Sequence, residues 1–97
     1  MSESKPAKAT PVQIEQWARQ IPQWKIENAK IIRQFDFKNF YETMAFVNAV
    51  AYIANQQDHH PDLTVTYNQC IVSYSTHSAG GLTEKDFTSA AKVDALR

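Results

Sequence analysis

A chain of 97 residues is one small domain, and a domain this size buries only a modest fraction of its surface unaided. Ten Lys and Arg offset ten Asp and Glu, so the formal net charge is zero. That balance points away from nucleic acid and from a cationic partner, and toward a small-molecule or protein function. Cys70 is the only cysteine, which excludes an intrachain disulfide and is compatible with a reducing compartment. Met1 to Ala9 is polar, carries lysine and lacks the apolar centre of a signal peptide. No apolar run approaches the roughly 18–20 residues needed to span a bilayer. The expectation is a cytoplasmic protein without membrane contact, with a disordered lead-in at 1–9 and a single domain at 10–97.

Thr10-Pro11-Val12-Gln13 combines an N-cap threonine, a proline at the first helical position and a glutamine three residues after the cap. Ile14, Trp17, Ala18 and Ile21 follow at helical spacing, and Pro22 is expected to end the helix. Residues 24–27 alternate as a short strand, Asn28-Ala29 is a turn, and residues 30–37 read as a second strand. Asn39 then caps the longest helix, with Glu42 three residues on, and the helix runs to Gln57. Phe40, Met44, Val47, Ala51 and Ala54 form one apolar stripe on it; Phe46, Val50 and Ile53 form another. A face this wide covers a sheet and leaves surface for a partner helix.

Leu63 to Tyr67 and Cys70 to Tyr74 alternate around Asn68-Gln69, the pattern of a β-hairpin closed by a two-residue turn. Such a turn pairs Tyr67 with Cys70, Val65 with Val72, Leu63 with Tyr74 and His60 with His77. It places Cys70 on the inner face as a small apolar residue. After Gly80-Gly81, Thr83-Glu84-Lys85-Asp86 opens a last helix that reaches about Leu96. Helix, two strands, helix, two strands, helix is an α+β order, with helices on one face of an antiparallel sheet.

The three histidines, His59, His60 and His77, all fall in one short stretch. Histidine titrates near neutrality, so convergence of three at the open end of one hairpin points to proton transfer or metal binding. Pro61 biases His60 toward extended backbone, so the long helix stops just before the pair. Asp58 adjoins and can orient a ring. Zinc is the poorer fit, because adjacent residues on extended chain point to opposite sides and no His-x-His or Cys-x-x-Cys is present. Ser73, Ser75 and Ser78 lie near, but no strained Gly-x-Ser-x-Gly turn presents a nucleophile.

Asp58-His59-His60-Pro61, Tyr67 six residues beyond the proline, Ser75-Thr76-His77 and Asp86 together resemble the signature of the pterin-4a-carbinolamine dehydratases. The resemblance runs from Trp24 through Gly80-Gly81-Leu82-Thr83 into the last helix. It implies a four-stranded antiparallel sheet with three helices on one face, assembled as a homodimer or homotetramer. It also implies dehydration of 4a-hydroxytetrahydrobiopterin to quinonoid dihydropterin without metal or cofactor, recycling the pterin of an aromatic amino-acid hydroxylase. His59, His60 and His77 would be catalytic, and Asp58 to His60 with Ser75, Thr76, His77 and Ser78 would line the pterin site. Asn55, Pro61 and Asp86 would support it. Asn55 departs from the family pattern, which usually has an ionisable residue, often glutamate, four residues before the first histidine. Asp86, third residue of a helix cap, leans toward a structural role. The competing reading is a non-catalytic dimerisation or assembly module of the same fold; retention of all three histidines favours the enzyme.

Overall fold

The computed structural model describes residues 7–97; the first six residues of the expected lead-in lie outside the described residues. At its other end that lead-in is already anchored, for Ala9 is buried and its N–H donates to the Leu82 carbonyl over 2.7 Å. The seven expected helices and strands follow in order, with one 3-10 turn added before the last helix: α1 (Pro11–Ala18), β1 (Lys25–Glu27), β2 (Lys30–Asp36), α2 (Phe40–Gln57), β3 (Asp62–Val65), β4 (Gln69–Tyr74), the 3-10 turn (His77–Ala79) and α3 (Glu84–Asp94). The strands form one antiparallel sheet in the order β1-β2-β4-β3.

Local chemistry explains the boundaries. Thr10 and Gln13 exchange side-chain-to-backbone hydrogen bonds, which satisfies two orphan N–H groups at the start of α1. That helix stops at Ala18, earlier than Pro22, and the N–H groups of Gln20 and Ile21 close tighter turns onto Trp17 and Ala18. Asn39 caps α2 by accepting from the Glu42 N–H. At the far end Asp58 adopts a left-handed conformation, φ 52° and ψ 45°. Its N–H and that of His59 turn back onto carbonyls of the last turn, so the helix ends one residue before the histidines.

The second hairpin differs from the two-residue turn in its register. Val65 faces Cys70, Leu63 faces Val72 and Asp62 faces Ser73, so the pairing slides by two residues and the loop widens to Thr66–Gln69. A two-residue hairpin turn needs positive φ, and the first hairpin has it, with Asn28 at φ 50° and Ala29 at φ 61°. Neither Asn68 nor Gln69 adopts positive φ. Their loop is held instead by its carbonyls: Tyr67 O accepts from the Thr43 hydroxyl, and Asn68 O from the Phe37 N–H. A two-residue slide preserves the inward face, so Cys70, Val72 and Tyr74 are buried as the alternation requires. His60 and His77, however, are not a ladder pair: His60 precedes β3 in the connection from α2, and His77 opens the 3-10 turn after β4.

The three helices pack on one face of the sheet. Ile31, Phe35, Val72 and Tyr74 meet Phe46, Val50 and Ile53 of α2 and Phe87, Ala90 and Val93 of α3 in a single core. Burying each of the Val, Ile and Phe side chains among these contributes about 1.5–3 kcal/mol. Asp94 accepts from both Trp24 Nε1 and Arg33, tying the end of α3 to the sheet. On α2 the inward stripe is Thr43, Phe46, Val50, Ile53 and Ala54. The other stripe is only partly covered: Phe40 is 48 % exposed, with Tyr41 at 82 % and Tyr52 at 64 % beside it. Among the described residues no helix is long and apolar enough to cross a membrane.

Candidate active site

Three segments meet at one end of the sheet: the exit of α2 at Asp58–Pro61, the start of β3, and the stretch Ser75–Ser78 after β4. They enclose an open cleft of about 380 Å³ lined by all three histidines. His60 and His77 are exposed there and make no side-chain hydrogen bond among the described residues. His59 is different. Its side chain is only 11 % exposed and its Nε2 lies 2.5 Å from Oδ1 of Asp86, which is fully buried.

Asp86 is held from several directions. Its Oδ2 accepts from the Thr76 hydroxyl at 2.8 Å and from the Thr83 N–H at 2.9 Å. With its proton committed to Asp86, Thr76 Oγ1 accepts in turn from the Thr83 hydroxyl, 3.0 Å away. A carboxylate removed from water is costly unless donors satisfy it, and this one has three. The cap of α3 and the anchoring of His59 therefore use the same carboxylate. The structural role expected of Asp86 is present, and an equally direct contact to the site accompanies it.

The His59 ring also stacks on Tyr74, with centroids 5.5 Å apart and planes inclined by 14°. Tyr74 is buried, and its hydroxyl has no hydrogen-bond partner among the described residues. Burial, with the Asp86 charge adding to it, pushes this phenol up to about 12, so it stays neutral at any working pH. The imidazole thus has Asp86 at one nitrogen and an apolar ring across one face. Donation from Nε2 to the carboxylate selects the tautomer and leaves Nδ1 as the one ring nitrogen available to a ligand.

Of the other expected site residues, Asp58, Pro61, Ser75 and Ser78 line the cleft. Thr76 lines it as well, but its hydroxyl is turned inward to Asp86. Asn55 is exposed on the last turn of α2 and does not line the cleft; its carbonyl accepts from the Asp58 N–H. The residue that orients an imidazole is Asp86, not the adjacent Asp58. Sequence spacing cannot show this, because 27 residues separate Asp86 from His59. Ser73, near the histidines in sequence, lines the cleft with its cross-strand partner Asp62; neither Asp62 nor the stacking of Tyr74 is legible in the sequence. An aromatic residue ending a strand just before Ser75-Thr76-His77 was the one available signal for Tyr74.

The model of the family described as pterin 4 alpha carbinolamine dehydratase matches residues 7–96. The chain belongs to this pterin carbinolamine dehydratase family. Its curated relatives include a Nitrosospira multiformis protein, 55 % identical over 84 residues, which cover 87 % of this chain and 74 % of that one. A Bdellovibrio bacteriovorus protein is 47 % identical over 91 residues, covering 90 % and 76 % respectively. Both carry, provisionally, the name pterin-4-alpha-carbinolamine dehydratase. Among solved structures, a Brucella melitensis protein described as a transcriptional coactivator/pterin dehydratase superposes with a TM-score of 0.86 at 32 % identity, covering 92 % of this chain and 97 % of that one. A pterin dehydratase-like protein described as a RuBisCO assembly factor in the alpha-carboxysome shares the fold, with a TM-score of 0.62 at 23 % identity over 75 % of this chain and 84 % of that one.

Proposed function

We propose that this protein dehydrates 4a-hydroxytetrahydrobiopterin to quinonoid dihydropterin, with His59, His60 and His77 as its acids and bases. The observation that carries the reading is the convergence of three imidazoles on one cleft, one of them anchored to a buried carboxylate, in a chain of the dehydratase family. The reaction breaks the C4a–O bond, with a proton supplied to the departing hydroxyl so that it leaves as water. A ring N–H gives up its proton as the new double bond forms. An acid and a base on a bound heterocycle therefore suffice. His59, in its imidazolium form, donates from Nδ1 at a fixed position, and His77, lining the same cleft, is a second acid, so a hydroxyl on either face of C4a meets one of them. His60 takes the ring proton or holds the ring. Hydroxyls of Ser75 and Ser78 and nearby backbone groups bind the flat ring edge.

The direct test is stopped-flow dehydration of chemically made carbinolamine, measured against its uncatalysed decay. Acceleration supports the enzyme; tight binding of a stable dihydropterin without acceleration would favour the binding or assembly module. No step of this mechanism uses a metal, so exhaustive chelation is expected to leave the rate unchanged. Loss of rate on chelation with recovery on adding zinc would refute that part.

The protein acts as a homodimer or homotetramer in this reading, supported by the half-covered stripe of α2, where Phe40, Tyr41 and Tyr52 stand in solvent. Light scattering at micromolar concentration is expected to give two or four times the 11.1 kDa chain mass. A clean monomer would defeat it. The expected physiological setting is cytoplasmic recycling of the pterin used by an aromatic amino-acid hydroxylase.

A further inference from the structure

A second cleft, of about 490 Å³, adjoins the histidine cleft and is the larger of the two. The two share Asp62, Ser75, Thr76 and His77 as lining residues, and the second is closed on its far side by the β1–β2 turn at Asn28-Ala29 and by Lys30. Strand register explains which side chains meet there. Ile31 faces Tyr74 across β2 and β4, and both are buried against the helices. One step on, Lys30 lies beside Ser75 and on the opposite side of the sheet. Asp62 faces Ser73, whose side alternates away from buried Val72 and Tyr74. Lys30, Ser75, Ser73 and Asp62 thus share the helix-free face of the sheet, and Lys30, Ser75 and Asp62 line the second cleft together with His77.

Lys30 is the one lysine or arginine lining this cleft, and it forms no ion pair among the described residues. Asp62 supplies the opposite charge. An ammonium only donates hydrogen bonds and a carboxylate only accepts them, whereas a hydroxyl does both. A cleft carrying one of each suits a neutral chain bearing hydroxyls; an anionic tail would meet repulsion from Asp62.

Resting on the dehydratase reading, we infer that this second cleft takes the substituent at C6 of the pterin, and that Lys30 is a specificity residue for hydroxylated chains there. In a pterin, C6 is joined to C4a through the single atom N5, so its substituent springs from the reacting edge. A C4a held at His77, the residue common to both clefts, directs that substituent into the second cleft rather than into the wall formed by His59. Asp62 then accepts from a side-chain hydroxyl while Lys30 donates to one.

The experiment compares the carbinolamines of tetrahydrobiopterin, with its dihydroxypropyl chain, and of 6-methyltetrahydropterin, which lacks hydroxyls at C6. For the wild-type protein, kcat/KM is expected to favour the hydroxylated substrate by roughly tenfold, the scale of one charge-assisted hydrogen bond. Lys30→Met is expected to cut that ratio several-fold by lowering only the tetrahydrobiopterin value, with the Asp62 contact remaining. An absent preference in the wild type, or one that survives Lys30→Met intact, would overturn the assignment. Should neither carbinolamine be turned over, the dehydratase reading falls by itself. The subsite is then read from the affinities of 7,8-dihydrobiopterin and 6-methyl-7,8-dihydropterin, with the same ratio and the same variant deciding for or against it.

Discussion

Replacing His59 and His77 together by alanine is expected to abolish nearly all acceleration while leaving affinity for a stable dihydropterin largely intact. Proton transfer by a placed side chain contributes typically about 10²–10⁴-fold, so each single substitution should cost up to that range. Either single loss is partly masked where the other of these two imidazoles supplies the proton. The double variant has no such relief at the leaving hydroxyl, and its loss should far exceed that of either single variant. Effects of groups that act as a unit are strongly non-additive, so the comparison needs all three variants in one stopped-flow series. Dehydration by the double variant at the wild-type rate would show that these histidines are not the catalysts, and the binding module would then lead.

Asp86→Ala is expected to damage folding and turnover at once, because one buried carboxylate serves both. Its removal leaves the Thr83 N–H, the Thr76 hydroxyl and His59 Nε2 without their acceptor. A buried donor left unpaired costs about 1–3 kcal/mol, and loss of an N-terminal helix cap about 0.5–2 kcal/mol. With these contributions overlapping, a loss of about 2–4 kcal/mol is expected. For a domain of this size each kcal/mol lowers Tm by roughly 4–8 °C, which calorimetry resolves easily. Asp86→Asn separates the two roles, since it keeps the volume and one acceptor oxygen. If that oxygen stays with Thr83 and Thr76, the amide turns an N–H toward His59 Nε2, and the imidazole must change tautomer or move. The expected signature is a lower kcat and an altered pH–rate profile at nearly unchanged pterin affinity. A variant with a lower Tm but wild-type kcat and pH profile would reduce Asp86 to a helix cap.

Local patterns carried most of the architecture. Thr10 with Gln13 and Asn39 with Glu42 marked helix starts because a capping side chain bonds only two or three residues along the chain. Alternation marked Cys70, Val72 and Tyr74 as inward because strand geometry fixes a period of two, and the two-residue slide of β3 left that parity untouched. The slide itself was decided by tertiary contacts: Thr43 and Phe37 take the loop carbonyls at Tyr67 and Asn68.

The histidines announced themselves by composition, and their convergence needed only the chain reversal between β3 and β4. Their inequality did not. His59 and His60 are neighbours in sequence, yet one is anchored to Asp86 against Tyr74 while the other faces solvent. Asp86 sits where α3 packs behind the cleft, so its second role exists only once helix and sheet have docked. Sequence by itself determined the elements, their inward faces and the residues rich in chemistry, because each rests on covalent geometry and neighbours a few positions away. Which imidazole is buried, which carboxylate holds it and which clefts adjoin it were decided by tertiary structure alone. Burial and long-range hydrogen bonds depend on where distant segments pack, and no local period records that.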